Sequence, residues 1–425
     1  MNIFPSPEQQ LNPFQFYADM RHNNPVAYDD RNNVWGVFRY YDVQFILGDY
    51  THFSSNPPPK SDNLPNQEKE QKMPFTRPSL LKSDPPYHRM LRAVIASTFT
   101  PMAISKLEPR IESITHDLVN QVTQKGNMDL INDLAYPLPV TVIAELLGVP
   151  VQDRNIFRGW ADKLVSSAGS QLNDEQHASA KNLFQIQTEM DDYFNTIIDK
   201  RAIAPQSDLI SGLIKAEADG HRLSREEILA FCTLLLLAGH VTTVNLIGNT
   251  VLSLLQNPQE FRKLKEEEDN LSTSPLIPST IEETLRYRSP VQAVFRTTKE
   301  QVTIGESQKI SPGQGIVVWL GSANHDESVF PDPEKFDISR IPHDHFHVGF
   351  GQGIHFCLGA PLARLECRVA LKIILERLRE LELDSSKTET IKALPSLFFH
   401  GVSQLPLRFK TGNVIKVGEE QYSTV

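Results

Sequence analysis

The sequence predicts a mainly α-helical protein with small β-sheets. Residues 87 to about 270 have helical spacing of apolar side chains, punctuated by prolines, and residues 361 to about 383 return to that pattern. Residues 34–38 and 302–320 instead have the short, apolar, β-prone pattern of strands, the second around a Pro312-Gly313 turn. No Gly/Ser-rich linker divides the 425 residues, so one domain is expected over 1–425, with a polar tail from about 411.

The central helix is the element that the sequence predicts most clearly. Ser224 and Glu227 form a capping-box pattern before an apolar run that ends at Asn257-Pro258. About thirty residues at 1.5 Å each give roughly 45 Å, and the apolar first half predicts a helix through the protein interior. Small and hydroxylic residues in its middle have two interpretations. They indicate either close packing against another helix, with threonine hydroxyls bonded to carbonyls one turn earlier, or a local bulge where a ligand meets the helix.

Composition excludes several classes of protein. There are 42 Lys+Arg against 52 Asp+Glu, a net charge of −10, and no basic block, so a nucleic-acid partner is not expected. Three cysteines cannot form a disulfide framework and favour a reducing compartment. The N-terminus lacks signal-peptide features, and the longest nearly apolar run, residues 229–239, is far shorter than the ~20 residues that span a bilayer. A cytoplasmic protein without a membrane span is expected.

The strongest chemical signal is the stretch FGQGIHFCLG at residues 350–359. Its glycines allow a backbone to approach a flat cofactor and to direct N–H groups at the sulfur of Cys357. A cysteine just before a helix is also expected to have a lowered pKa, which favours a metal-ligating thiolate. The alternative is a buried structural cysteine in a glycine-rich turn.

This stretch resembles the haem-binding signature of cytochrome P450, F-x-x-G-x-x-x-C-x-G, at Phe350, Gly353, Cys357 and Gly359. Three further motifs resemble the family in its order: residues 283–286 (E-x-x-R), residues 238–243 (AGHVTT, the oxygen-activating segment) and residues 323–326 (ANHD) leading to 336–340. The resemblance covers about residues 12–409 and is closest to soluble bacterial members, some of which take fatty acids, terpenoids or steroids. It implies a triangular prism with the haem between the central helix and the cysteine-bearing helix.

By this resemblance Cys357 is the proximal ligand of haem b, whose thiolate favours O–O cleavage. Cys232 and Cys367 are expected to be packing residues. By the resemblance, His88, Arg92, Arg296 and His355 are expected to be the cationic or donor partners that the haem propionates need. The expected contacts to the haem, besides Cys357, are His88, Arg92, Ala238, Gly239, Arg296, Phe350, His355 and Gly359.

The resemblance also implies roles for Thr242 and for the E-x-x-R pair. Thr242 matches the family's catalytic threonine, which serves oxygen activation and proton delivery. The preceding position is usually an acid and is Val241 here, which puts the usual proton route in doubt. Glu283 and Arg286 are expected to form a buried structural pair. His325 replaces the customary arginine of A-N-R-D, which is expected to weaken a structural contact rather than to abolish haem binding.

The pocket implied by the resemblance is almost entirely apolar, which predicts a largely apolar small-molecule substrate. Lys60, Lys72 and Arg77 in the preceding loop are candidates to reach a substrate carboxylate. The expected substrate contacts are Leu80, Leu81, Phe231, Leu234, Leu235, Ala238, Val291, Ala293, Val294, Leu397, Phe398 and Phe399.

The sequence therefore predicts a haem-thiolate monooxygenase that hydroxylates an apolar molecule, such as a fatty acid, terpenoid or steroid, with O2 and NAD(P)H. The family match leaves no room for a flavin or ferredoxin domain, so electrons are expected from a separate ferredoxin and its reductase, docked behind Cys357. A monomer is expected. Two alternatives stay open: a peroxide-driven or reductant-independent enzyme, because position 241 has no acid, and a non-catalytic haem sensor, against which Thr242 argues.

Overall fold

The computed structural model describes residues 1–56, 77–157, 159–160, 163, 176–218, 220–267, 271, 273–340, 346–387, 389 and 391–411. Most of the loop expected before residue 80, and the polar tail beyond 411, lie outside these ranges. The α-helices within them are α1 (Phe14–Asn23), α2 (Tyr40–Gly48), α3 (Tyr87–Thr98), α4 (Pro101–Ser105), α5 (Glu108–Thr123), α6 (Pro137–Leu146), α7 (Gln176–Ile203), α8 (Leu209–Lys215), α9 (Arg225–Gln256), α10 (Pro258–Glu266), α11 (Leu276–Tyr287), α12 (Leu320–Ala323) and α13 (Ala360–Arg377).

Small sheets lie at the periphery of the helices, as the fold class requires. The strands are β1 (Val26–Asp29), β2 (Val34–Val37), β3 (Phe53–Ser54), β4 (Asn127–Asp129), β5 (Glu217–Ala218), β6 (His221–Arg222), β7 (Ala293–Thr298), β8 (Val302–Ile304), β9 (Gln308–Ile310), β10 (Gly315–Trp319), β11 (Leu378–Leu383) and β12 (Pro406–Thr411). A five-stranded sheet has the order β1-β2-β10-β7-β3, a three-stranded sheet the order β11-β12-β4, and β5-β6 and β8-β9 are hairpins.

Helix α9 crosses the largest hydrophobic cluster and confirms the predicted central helix. Its capping box is formed by Ser224 and Glu227, each side chain bonding the other residue's backbone N–H. It packs against α6, α11 and α13. Among the described helices α9 alone is long and apolar enough to span a membrane, and 61% of its most apolar window is buried inside the protein, as in a core helix.

The middle of α9 follows the packing interpretation rather than the bulge, because the helix is continuous from Arg225 to Gln256. A Cβ on Gly239 would lie 2.9 Å from Cδ1 of Ile143 on α6, so a larger residue would force the Ile143 side chain to move. Thr242 and Thr243 donate their hydroxyls to the carbonyls of Ala238 and Gly239, at 2.7 and 3.0 Å. Of the two interpretations, the structure supports packing and not the bulge.

One helix boundary also differs from the sequence prediction. The helix expected up to about residue 383 ends at Arg377, and β11 (Leu378–Leu383) follows it directly. Pairing with β12 overrides the helical pattern there, and Glu380 has a φ of 51° where the pairing register shifts. The mainly α fold class itself is confirmed.

Candidate functional site

The loop before α13 turns tightly around Cys357. The N–H of Cys357 donates to the carbonyl of Phe350 at 2.9 Å, which closes the loop on itself. Gly351 and Gly353 have φ values of 72° and 67°, which glycine adopts without strain. A Cβ on Gly353 would lie 2.9 Å from the carbonyl oxygen of Leu47 on α2, so this loop sits directly on the end of that helix.

Two backbone N–H groups, of Gly359 and Ala360, donate to the sulfur of Cys357. These donors and the nearby Arg92 and Arg364 favour the thiolate. Burial outweighs them, however, and raises the pKa of the Cys357 thiol. The expectation that the position before the helix lowers this pKa was therefore wrong for the protein chain by itself, because the sulfur is removed from water.

Four nitrogen-bearing side chains from three segments converge near this loop. His88 and Arg92 come from α3, Arg296 from β7 and His355 from the cysteine loop. The rings of His88 and His355 lie 4.3 Å apart between centroids, and Arg92 donates to the carbonyl of Phe356 at 2.8 Å. The structure thus brings together the four residues expected to hold the propionates.

These side chains are suited to anionic groups that the described residues do not place in contact with them. Nε2 of His88 and Nε2 of His355 are buried without a hydrogen-bond partner among the described residues. Within the same ranges, no carboxylate lies within salt-bridge distance of Arg296, which is 7% exposed. Burial lowers the pKa of Arg296 to about 10, that of His88 to about 4 and that of His355 to about 3. Buried donors without partners fit the two propionates of a haem whose iron faces the soft sulfur of Cys357.

The middle of α9 has an accessible side. Ala238 is exposed and Thr242 is partly exposed, although they lie in the middle of a core helix. Val241 is 7% exposed and therefore buried, and His240 is buried with its ring 4.5 Å from that of Tyr136. Of these residues, Thr242 is the polar side chain that reaches the accessible face. Gly239 contacts α6, and a contact between Gly239 and the haem stays a prediction.

The E-x-x-R pair lies on α11 beneath the cysteine loop. Arg286 donates two hydrogen bonds to Glu283, both 2.8 Å, and both side chains are nearly fully buried. Arg286 also donates to the carbonyls of Asn324, Pro333 and Lys335, while Glu283 accepts the backbone N–H of Asp337. The pair therefore organises the two segments that the sequence motifs placed against it.

His325 keeps a structural contact in place of the customary arginine. Its Nε2 lies 2.8 Å from the carbonyl of Tyr287 and its Nδ1 lies 3.3 Å from Glu334. Its ring stacks on Phe14 at 4.6 Å. Burial lowers the pKa of His325, so hydrogen bonding and stacking carry this contact.

The predicted substrate residues occupy different environments. Phe231 and Leu235 are buried, Leu234 and Leu397 are partly buried, Leu80 is 9% exposed and Leu81 is 53% exposed. Val291 and Phe399 pair in a β-bridge, which brings the segment after α11 beside the C-terminal segment. Val294 lies on the same face of β7 as Arg296, because side chains alternate along a strand.

Two predicted substrate contacts are not supported by the structure. Ala293 lies on the opposite face of β7 from Arg296, and it packs with Tyr17 and Trp319. Phe398 packs against the same cluster and lines a cavity of about 340 Å³ with Phe4 and Phe295. The alternation of side chains along β7 turns Ala293 away from Arg296, and Phe398 packs against the same cluster as Ala293.

Arg77 is already engaged by carboxylates of the protein. It makes two hydrogen bonds of 2.7 Å to Asp191 on α7 and an ion pair of 2.8 Å to Glu226 at the start of α9. The suggestion that Arg77 binds a substrate carboxylate is therefore not supported. Lys60 and Lys72, the two other candidates, lie outside the described residues.

One residue beside the site escaped the sequence analysis. Asp84 precedes His88 by one helical turn, and its charge raises the pKa values of His88, Arg296 and His355 against the effect of burial. The spacing D-P-P-x-H was visible in the sequence, but only the folded chain brings Arg296 and His355 near this carboxylate.

The fold and the site together define a haem-thiolate protein. The cytochrome P450 family model matches residues 12–410. Cytochrome P450 109 of Bacillus spizizenii is 39% identical over 403 residues, covering 95% of this chain and 93% of that protein. The erythromycin C-12 hydroxylase of Saccharopolyspora erythraea is 40% identical over 365 residues, covering 86% and 87%.

Solved structures agree with this assignment. Substrate-free CYP109E1 from Bacillus megaterium superposes with a TM-score of 0.85 at 38% identity, covering 94% of this chain and 99% of that one. Its complex with testosterone gives a TM-score of 0.81 at the same identity. The chain belongs to the cytochrome P450 family. It is accordingly a monooxygenase that binds haem iron through a cysteine thiolate.

Proposed function

We propose that this cytochrome P450 hydroxylates a largely apolar small molecule, using O2 and electrons from NAD(P)H that arrive through a separate ferredoxin and reductase. The observation that carries the proposal is the convergence of Cys357, with two N–H donors on its sulfur, with the unpartnered Nε2 atoms of His88 and His355 and the buried guanidinium of Arg296. Haem held there supplies reductive activation of O2, so that one oxygen atom enters a C–H bond and the other leaves as water.

The chain's own residues have separable tasks in this proposal. Cys357 is the iron ligand, and the N–H groups of Gly359 and Ala360 moderate its electron donation. His88, Arg92, Arg296 and His355 hold the propionates. Thr242 delivers protons from the accessible face of α9, where its hydroxyl donates to the carbonyl of Ala238.

An apolar substrate is supported by the apolar side chains of the predicted pocket. Leu234 and Ala238 on α9, and Val291, Val294 and Leu397 from other segments, are apolar and not fully buried, whereas Arg77 is neutralised by Asp191 and Glu226. The relatives include an erythromycin hydroxylase and a protein crystallised with testosterone and with corticosterone, which are bulky and largely apolar molecules. We propose a neutral substrate of that size class, with steroid-like or terpenoid shape, in preference to a fatty acid.

The ferredoxin would dock behind Cys357, where the neighbouring segments carry exposed apolar and basic side chains. Phe356 is 41% exposed in the cysteine loop and Met102 is 71% exposed on α4, which packs against α13. Arg89 on α3 and Lys106 directly after α4 are also exposed. An apolar centre with basic neighbours suits an acidic ferredoxin.

A spectrum and a product analysis test this function. Purified protein reduced under CO is expected to give the red-shifted band of a thiolate-ligated haem. Incubation with NADPH and a surrogate ferredoxin pair is then expected to yield hydroxylated product from a bound steroid or terpenoid. A steroid that shifts the haem spin state without yielding any oxidised product would contradict the proposed reaction.

One observation favours a second candidate, a peroxide-driven enzyme. Position 241 has a buried valine instead of an acid, and a positioned acid contributes about 10²–10⁴-fold to a rate. Val241→Glu separates the candidates. If water held by Thr242 and Thr243 already serves as the proton route, NADPH-driven turnover changes only slightly.

If the native enzyme instead uses peroxide, Val241→Glu is expected to create O2-dependent turnover from a near-zero start, with the peroxide-driven rate measured in parallel as control. A third possible route through His240 is not favoured, because that ring packs against Tyr136. Single-domain organisation over 1–425, a monomeric state and a cytoplasmic location stay predictions, the first supported by a family match over residues 12–410.

A further inference from the structure

A carboxylate at the start of α3 ties that helix to the edge of the five-stranded sheet. The side chain of Asp84 is 9% exposed. It accepts hydrogen bonds from Oγ of Ser54 at 2.6 Å and from the N–H of Ser55 at 2.9 Å, and it pairs with Nζ of Lys299 at 3.0 Å. Ser54 ends β3 and Lys299 directly follows β7, so one side chain joins three segments.

Backbone contacts make the junction rigid. The carbonyl of Asp84 accepts the N–H of His88 at 2.9 Å, so the carboxylate and the first turn of α3 move as one unit. Nζ of Lys299 also donates to the carbonyl of Tyr50 at 2.7 Å, and the backbone N–H of Lys299 donates to the carbonyl of His52 at 2.8 Å. Because β3 pairs with β7, the segment bearing His88 is fixed relative to the strand bearing Arg296.

The charges around this junction match a haem. Arg92, Arg296 and Lys299 carry three positive charges, and Asp84 carries one negative charge. Three minus one leaves two positive charges, and two propionates would balance them. His88 and His355 contribute buried ring nitrogens without hydrogen-bond partners among the described residues. Two propionates without Asp84 would leave one of the three positive charges unbalanced.

We propose that Asp84 is a positioning residue for the haem. Paired with Lys299, its carboxylate holds α3 against the sheet edge formed by β3 and β7, so that His88 and Arg92 face the same propionates as Arg296. The carboxylate also balances the positive charge of these side chains. This inference rests on the proposed assignment of the haem site. Asp84 acts through its neighbours and is not itself a ligand of the haem.

Transfer of haem from the holoprotein to excess apomyoglobin measures how firmly the haem is held. Asp84→Asn removes the charge and keeps the size of the side chain. Loss of one charge-assisted hydrogen bond predicts haem transfer about tenfold faster than from the unaltered protein. The haem midpoint potential is expected to become more positive, because a nearby negative charge that stabilises the ferric state is removed.

Lys299→Gln is a second variant, for which the shift of the haem midpoint potential is expected to have the opposite sign. Lys299 is 37% exposed, so this change carries less risk to folding. Haem transfer is again expected to be faster, because Asp84 loses its ion pair. The midpoint potential is expected to move in the opposite direction, towards more negative values, because a positive charge is removed. General loosening of the fold does not reverse the sign of the potential shift between two variants.

Asp29→Asn is the matched control. Asp29 is also a buried aspartate that accepts a backbone N–H, from Arg31 at 2.9 Å, but it lies on β1 at the opposite edge of the same sheet. Haem transfer from Asp84→Asn and Lys299→Gln that is no faster than from Asp29→Asn, or potentials that shift with the same sign, would overturn the proposal.

The reduced CO spectrum of the unaltered protein is recorded first and keeps the two proposals distinguishable. If that spectrum lacks the thiolate band, the haem assignment fails and this proposal fails with it. If the band is present and the two variants behave like Asp29→Asn, only the role of Asp84 is wrong.

Discussion

Cys357 differs from the two other cysteines in what surrounds its sulfur. Two backbone N–H groups and two arginines favour its thiolate, whereas Cys232 and Cys367 are fully buried. Burial raises the pKa of Cys367 to about 12, and its sulfur contacts the hydroxyl of Thr250. At the scale of single residues, the cysteine with converging donors is the one suited to a metal.

Cys357→Ser is therefore expected to give an apoprotein or a haem without thiolate ligation, because a hydroxyl is a much poorer ligand for haem iron than a thiolate. The measurement is the CO difference spectrum of the reduced protein. Cys367→Ser serves as the control and is expected to retain the red-shifted band. Retention of that band by Cys357→Ser would remove the basis of the ligand assignment.

Thr242→Ala is expected to leave haem content and substrate affinity unchanged but to lower the yield of product per NADPH consumed, with the difference appearing as peroxide. The hydroxyl reaches the accessible face of α9 and acts in proton delivery rather than in binding. The measurement is product formed against NADPH oxidised. Thr250→Ala removes a comparable hydroxyl from a fully buried part of the same helix. The yield of product per NADPH in this variant is expected to equal that of the unaltered enzyme. An unchanged yield in Thr242→Ala would contradict the role.

At the scale of elements, α11 presents two adjacent acids to very different surroundings. Glu283 is buried with Arg286. Glu282 pairs with Arg364 and His347, and the side chains of Glu282 and Arg364 are 38% and 37% exposed. Removal of one partner of a buried pair costs about 3–5 kcal/mol, but a surface pair contributes about 0–1 kcal/mol. The two neighbours therefore make a matched comparison.

Glu283→Ala is expected to lower the free energy of unfolding by about 3–5 kcal/mol and to reduce haem content, because Arg286 stays buried without its counter-charge. Glu282→Ala is expected to cost about 1 kcal/mol or less. Urea unfolding followed by circular dichroism, with haem content measured in parallel, compares them. Equal losses in the two variants would mean that the buried pair has no special structural weight.

The elements also show what the sequence could predict and why the remainder escaped. The capping box at Ser224 and the strands around Gly313 depend on local pattern, and both were confirmed. Strand β11 was missed because its partner β12 is distant in sequence. Ala293 and Phe398 pack in a cluster with Tyr17 and Trp319 that the sequence did not indicate, because only the folded chain decides which way these side chains face. Asp84 and Arg77 acquire their contacts from residues far along the chain.

At the scale of the whole molecule, buried histidines link stability to pH. Burial lowers the pKa of His400 from 6.5 to about 3, and Arg288 and His325 add repulsion to its protonated form. Between about pH 3 and 6.5 the unfolded chain therefore binds more protons at this position than the folded chain. Stability from this residue is complete above pH 6.5 and falls as the pH falls towards 3, by about 1.4 kcal/mol per pH unit.

His400→Gln is expected to reduce the loss of thermal stability between pH 7 and pH 5, because a glutamine can still donate to the carbonyl of Leu11 but has no proton to gain. The measurement is the unfolding midpoint at both pH values. His22→Gln changes a histidine that is 63% exposed and is the control. Parallel pH profiles for the unaltered protein and His400→Gln would refute the assignment.

The contact of Arg77 with both Asp191 and Glu226 has a consequence for the rates of substrate entry and product release. All three side chains are partly open to water, at 28%, 16% and 69% exposure, so dissolved ions weaken their attraction. The distance over which charges act falls from about 8 Å at physiological ionic strength to about 3 Å at 1 M salt. We expect the segment that carries Leu80 and Leu81 to separate from α7 and α9 more often in concentrated salt. The salt concentration, as well as the fit of a molecule to the pocket, would then govern how quickly bulky compounds enter and leave.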